Sequence, residues 1–273
     1  MKQITGLILK IGLPLLLLVL LFKYNVFYGL GAILILILIG VFYSRAEIFA
    51  FIGNRKYIMG KYDDSIKWMR SAYNTKNCIV KYKNAFGYLL LKTGQTQEAE
   101  QVLMELYESK LSKDEYMSVK SNVALLVWKK GNIYRAVSML EEVYNEFKNT
   151  KVYINFGLLL IIKGDLERAL EINLEAYEYN DSSAIIKDNL GKSYYLLGKY
   201  DKAQEIYEKA IASSPPFPEA YYNYSLVLAK KGMNDKALEF AQKSLNYTFM
   251  DISEITKIDA EMNVKELQKT KLE

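Results

Sequence analysis

The chain has 273 residues, with 36 Lys and Arg against 31 Asp and Glu for a formal net charge of +5, and 51% of it is hydrophobic. Histidine is absent and Cys78 is the one cysteine, which removes the commonest general base and metal ligand, an internal disulfide and a cysteine-based zinc knob. Lys2, Lys10 and Lys23 lie in an end that has no acidic residue and supply three of the five surplus charges, so the remainder is too small for a basic nucleic-acid module.

The hydrophobic excess sits at this end. Ile4 to Phe22 is apolar except for Lys10 and a few small polar residues, and Val26 to Ser44 carries no charge at all. The second stretch is nineteen residues, roughly 28 Å as a helix, which is close to bilayer thickness. Lys23-Tyr24-Asn25 separates the two, so residues 1–45 are predicted to form a transmembrane hairpin, with the lipid bilayer as one partner. Lys2 and Lys10 precede it and Arg45, Arg55, Lys56 and Lys61 follow it, against Lys23 alone in the turn; this bias predicts cytoplasmic termini in a cell membrane. A cleaved signal peptide is the competing reading of the first stretch, but no small-x-small site follows it.

From residue 46 onward the pattern is periodic. Gly60, Gly94, Gly131, Gly164, Gly198 and Gly232 recur at intervals of 34, 37, 33, 34 and 34 residues. With each glycine as the fifteenth residue of a unit, the units are 46–79, 80–116, 117–149, 150–183, 184–217 and 218–251. The eighth position is then Gly53, Gly87, Ala124, Gly157, Gly191 and Ser225; the twentieth is Ser65, Ala99, Ala136, Ala169, Ala203 and Ala237. Small side chains at both places let two helices approach closely, and glycine at the fifteenth lets the first helix stop and the chain reverse.

With Leu190-Gly191, Tyr194, Gly198, Tyr200, Ala203, Tyr207, Ala210 and Pro215, the fifth unit resembles the tetratricopeptide repeat (TPR) family. The resemblance implies an all-α fold: a TPR α-solenoid of six helix-turn-helix repeats after two transmembrane helices. The second unit carries extra residues around Lys110 to Glu115, where a longer turn between repeats is expected. Beyond the repeats, Asp251-Ile-Ser-Glu254 reads as a capping box. Ile252, Ile255, Ile258 and Met262 would line one face of a helix over 252–270, making 252–273 a capping segment that covers the exposed end of the array.

No catalytic constellation emerges. Gly29-Leu-Gly31 is too short for a nucleotide fingerprint, and Cys78 has no histidine to activate it. Carboxylates such as Asp63-Asp64, Glu98, Glu100, Glu141 and Glu142 fall at turns or on outward faces. The chain is therefore expected to be no enzyme and to hold no cofactor or metal.

The TPR resemblance implies that the first helix of each pair lines a concave groove that holds a protein or peptide. The sixth position of that helix is Asn122, Asn155, Asn189 and Asn223 in four successive repeats, after Phe51 and Ala85. A carboxamide can pair with both groups of a peptide backbone, and the column resembles the asparagine ladder in the TPR superhelix of the enzyme that attaches N-acetylglucosamine to protein hydroxyls. A bond within its own repeat is the alternative use of each asparagine. Around the column the expected groove carries Tyr88, Trp128, Tyr195 and Tyr222 with Lys81, Lys92, Lys129, Lys151, Lys192 and Lys230, against Asp188 and Glu219. Aromatic plates with a cationic surplus favour an acidic segment that has apolar anchors. The lysine-and-asparagine clamp of chaperone-binding TPRs is not matched, because Ala50 stands where a lysine is needed. Self-association through an end of the superhelix stays open. The expected function is a membrane-anchored scaffold, with an accessory subunit of a membrane enzyme or transporter, recognised through its hairpin, as the alternative.

Overall fold

A computed structural model describes residues 13–270, which form fifteen α-helices and no strand. The chain divides after Tyr82 into two compact units.

The first unit holds α1 (Leu13–Tyr24), α2 (Val26–Tyr43), α3 (Arg45–Ile58) and α4 (Tyr62–Tyr73). Asn25 alone makes the turn between α1 and α2, its Oδ1 accepting the Phe27 N–H at 2.8 Å. Gly29 then passes beneath the Phe22 ring, where any Cβ would collide with ring carbons. The eighteen residues of α2 have a mean hydropathy of 2.5 and a length of about 27 Å. Gly29 is its one buried residue. Two transmembrane helices were expected, whereas one described helix, α2, is long and apolar enough to cross a membrane. The twelve residues of α1 reach only about 18 Å; Ile4 to Gly12, Lys2 and Lys10 lie outside the described residues. In the first repeat, Ser65 stands where the others carry alanine because its hydroxyl donates to the Gly53 carbonyl at 2.8 Å and ties α4 to α3.

The second unit begins at Lys83, inside α5 (Val80–Lys92), which pairs with α6 (Thr96–Tyr107); α7 (Lys113–Lys129) pairs with α8 (Ile133–Glu146), and α9 (Thr150–Lys163) with α10 (Leu166–Tyr179). Then come α11 (Ala184–Leu196) with α12 (Tyr200–Ile211), α13 (Pro218–Lys230) with α14 (Asn234–Ser244), and α15 (Lys257–Thr270). The pairs recur with the glycine period, although α7 begins four residues before the unit 117–149, and the cause of the recurrence is visible at two columns. All six turn glycines have φ between +71° and +91°. At Gly164 the N–H donates to the Ile161 carbonyl while that of Asp165 reaches back to Leu160, both at 3.0 Å, closing the helix end. At the eighth position a side chain would have no room: a Cβ on Gly87 would stand 2.6 Å from Leu103, and one on Gly191 2.6 Å from Tyr207. Each of these neighbours lies sixteen residues on, in the second helix of the same pair.

Two expectations are corrected. The extra residues near Lys110 do not lengthen a turn. They add a turn of helix to the front of α7, which starts at Lys113 and is capped by Ser112 and Glu115 in a reciprocal box. After α14, residues 251–256 are not helical. The capping box is Thr256 with Asp259: Asp259 Oδ2 accepts the Thr256 N–H at 2.7 Å and the Asp259 N–H reaches Thr256 Oγ1 at 3.2 Å. The shift turns α15, so Ile258 and Met262 point outward, 67% and 62% exposed, while Val264 and Leu267 join Tyr207, Tyr224, Val227 and Leu228 in the terminal core. Asn263 Nδ2 donates to Ser225 Oγ at 2.8 Å and fixes the register of α15 on the last repeat.

Several carboxylates read as solvated are engaged in ion pairs. Glu100 meets Lys130 at 2.6 Å and Glu141 pairs with Arg168, each across a repeat boundary, and Glu142 pairs with Lys120 within the third repeat. Partly exposed pairs of this kind contribute ~0–1 kcal/mol each. Cys78 is buried.

Candidate peptide-binding face

The first helices of the second unit pack side by side, α7 on α9, α9 on α11 and α11 on α13, so one layer of the solenoid consists of first helices alone. The segment between α14 and α15 crosses this layer. The Asp251 N–H donates to the Lys92 carbonyl at the end of α5, 2.9 Å away. Lys129, at the end of α7, donates to the Asp251 carbonyl at 2.5 Å and lies 2.9 Å from its carboxylate. Three residues later, Glu254 forms an ion pair with Lys192 on α11, and Ser253 donates to Glu219 on α13. One short segment touches α5, α7, α11 and α13, so residues 250–255 lie across the first-helix face as a strap.

The face is cationic and aromatic where the strap lies. Tyr88 is flanked by two ammonium groups, Lys151 at 4.1 Å from its ring centre and Lys92 at 5.7 Å. Lys129 sits 5.7 Å from the Trp128 ring. No carboxylate pairs with Lys151 among the described residues. Burial, then repulsion from Lys92, pushes its pKa down to about 8. Tyr222 and Tyr195 are half-buried farther along, and burial raises both phenols. Of the residues singled out in the sequence, Tyr88, Trp128, Lys92, Lys129, Lys151 and Lys192 therefore share the face. Lys230 is exposed at the end of α13, and Lys81 belongs to the first unit.

The asparagine column has a use inside the array. Asn122, Asn155, Asn189 and Asn223 are all at most 4% exposed. Each donates its Nδ2 to the fifth position of the preceding repeat: Asn122 to Asn84 Oδ1 at 2.6 Å, Asn155 to Ser121 Oγ at 3.3 Å, Asn189 to the Ile154 carbonyl at 2.9 Å and Asn223 to Asp188 Oδ1 at 3.0 Å. The four form a spine from the second repeat to the sixth. Each bond uses one N–H of the carboxamide, so a ligand backbone could engage only its second N–H and its Oδ1 while the spine stands.

The spine ends on a buried acid. Asp188 Oδ1 accepts from Asn223 and, at 3.1 Å, from the Tyr207 hydroxyl. Burial pushes the Asp188 carboxyl up to about 7; the Asn223 bond and Lys192 oppose that rise, while Glu219 and Glu254 reinforce it. Tyr207 is raised by burial and by the same carboxyl. Sequence reading placed Asp188 on the groove but missed its burial and missed the strap. The signal for the strap was the twelve-residue interval 245–256, a length that in compact domains usually carries function.

Comparison with known proteins agrees with this geometry. Two family models described as Tetratricopeptide repeat match residues 151–215 and 189–249, so the helix pairs over 151–249 carry the tetratricopeptide repeat pattern. A TPR repeat-containing protein of Methanocaldococcus jannaschii, MJ1428, is 24% identical over 230 residues, covering 77% of this chain and 40% of that protein. The BBSome complex member BBS4 of Bos taurus is 29% identical over 99 residues, 36% of this chain and 18% of that one. The chain thus spans less than half the length of either curated relative. Among solved structures, a tetratricopeptide repeat protein from Parabacteroides merdae has a TM-score of 0.60 at 15% identity, covering 82% of this chain and 85% of that one. The APC/C hetero-tetramer Cut9-Hcn1 has a TM-score of 0.63 at 16% identity, covering 82% and 43%. At these identities the likeness is one of fold.

Proposed function

We propose that this tetratricopeptide-repeat chain is a scaffold held at a membrane by its N-terminal helices, with the concave face of repeats two to six gripping an extended segment of another protein. The observation that carries the reading is the face itself, where the strap meets Lys92, Lys129 and Lys192, with Tyr88 and Trp128 beside two of these lysines. Two of the similar proteins, BBS4 and Cut9, are named as members of multi-protein complexes, which fits a role in assembly and assigns no chemistry to this chain. Support for the membrane comes from α2, apolar along its length with one buried residue. Pairing it with residues 4–22 gives a two-span hairpin with both ends cytoplasmic. Confinement to a bilayer raises the effective concentration toward membrane-bound partners, so modest contacts suffice.

A second reading, an accessory subunit recognised through its hairpin, is favoured by one feature. Gly29 is filled by Phe22, but Gly31 and Gly40 have no atom within 4 Å of a would-be Cβ, leaving open places of the kind where transmembrane helices meet. Photocrosslinking residues placed at Trp128, at Tyr222 and at Phe42, in membranes, separate the two. Discrete protein adducts from Trp128 and Tyr222 are expected for the scaffold; adducts from Phe42 alone would shift recognition to the hairpin.

A further inference from the structure

The strap rests on the scaffold reading and gives it a chemistry. Residues 250–255 are Met-Asp-Ile-Ser-Glu-Ile. They lie on the face in non-helical form, with a turn closed by the Ser253 N–H on the Met250 carbonyl at 2.9 Å, a main-chain bond from Asp251 to Lys92 and a carboxylate at each of two lysines: Asp251 at Lys129 and Glu254 at Lys192. Ile255, directly after the second carboxylate, is buried. Lys192 and Glu254 are each 15% exposed, so this contact is largely withdrawn from water, whereas Asp251 is at the rim. Lys151 remains beside Tyr88 as a cation that the strap leaves without a carboxylate. The face is therefore complementary to an acidic chain, and the strap satisfies part of that complementarity.

We propose that the strap is a built-in stand-in for the partner: the groove takes an acidic segment with two carboxylates three residues apart and an apolar side chain after the second, and the strap keeps the site closed until such a segment displaces it. The partner's first carboxylate would occupy Lys129 and its second Lys192; a further acidic group would reach Lys151, an interaction the strap does not make. Because the strap is tethered, it competes at an effective concentration on the order of mM. A free segment must match it closely or exceed it in charge.

The probe is a fluorescent synthetic peptide with the sequence of residues 248–256, titrated by anisotropy into the full chain in detergent micelles. The D251N/E254Q variant, which keeps side-chain shape while removing the charges that hold the strap down, should bind this peptide roughly ten-fold or more tightly than the unaltered chain. E254Q alone, which keeps the Asp251 contacts, should fall between them. Adding K129A/K192A should abolish binding, and circular dichroism should stay unchanged because neither strap acid lies in a helix. Equal binding by the unaltered and released chains overturns the proposal, as does binding that survives loss of both lysines. So does a dimer of the unaltered chain that D251N/E254Q converts to monomer, since the strap would then serve a second copy. If the peptide fails while crosslinks from Trp128 and Tyr222 persist, the strap inference falls and the scaffold stands. Peptide binding without such crosslinks reverses that outcome.

Discussion

Replacing Asp188 by Asn should change how the stability of the repeats depends on pH. Asp188 is 6% exposed and its carboxyl is pushed up from its ordinary 3.8 to about 7. The groups facing it are the Tyr207 hydroxyl and Asn223 amide, which donate to it, and the charges of Glu219, Lys192 and Glu254. A folded-state pKa above the unfolded one means that stability is complete below about pH 4 and is lost as pH rises through about 7, because the folded chain must then bury a charge. A shift of about 3 pH units corresponds to roughly 4 kcal/mol at most. Asn keeps the acceptor used by Tyr207 and Asn223 and never ionises. It introduces an amide where a carboxyl oxygen stood, which costs about 1–3 kcal/mol if that amide finds no partner. The variant should therefore be no more stable than the unaltered chain at pH 4.5 and more stable by about 1–3 kcal/mol at pH 8. Urea unfolding of the chain in micelles, followed by circular dichroism at several pH values, gives both curves. Two curves separated by a constant gap from pH 4.5 to 8 would refute the reasoning.

Asn155→Ala and Asn189→Ala should each lower stability by about 1 kcal/mol, the worth of one inter-repeat hydrogen bond, and leave the affinity of the released groove for the strap peptide unchanged. Lost peptide binding at unchanged stability would instead assign these amides to the ligand. Glu175 accepts from Lys148, Tyr144 and Tyr153; burial alone would raise its pKa, but these donors outweigh burial and hold it at about 2. Its contribution is present above about pH 4.5 and is lost as pH falls through about 2, so Glu175→Gln should be less stable than the unaltered chain at neutral pH and converge with it in acid melts. At the middle of α2, Ile37→Arg places a cation where membrane insertion costs about 2.5–3.5 kcal/mol. Flotation with lipid vesicles should show a smaller bound fraction; equal flotation would count against α2 as an anchor.

The repeat was legible in the sequence because its constraints are short-range. A turn glycine must take positive φ, and Gly87 or Gly191 must clear the residue sixteen positions on, whatever lies elsewhere in the chain. The asparagine column was visible, but its bonds between repeats required a second column to be read with it: Asn84, Ser121, Ile154 and Asp188, each at the fifth position of the repeat before. The capping box was read at Asp251 with Glu254, whereas Thr256 with Asp259, five residues on, forms it. The second won because Asp251 and Glu254 are drawn to Lys129 and Lys192, lysines more than fifty residues away in the chain. Tertiary electrostatics of that range leave no periodic trace.

Hydrogen exchange at the strap, measured by mass spectrometry on the full chain in micelles, tests the account most directly. The Asp251 amide, bonded to the Lys92 carbonyl, and its neighbours through Ile255 should exchange slowly in the free chain and faster when the acidic peptide is added in excess, while the amides of α7 and α11 keep their protection. Fast exchange at Asp251 without peptide, or no change on adding it, would contradict a concave face that is closed by its own acidic segment and opened by another.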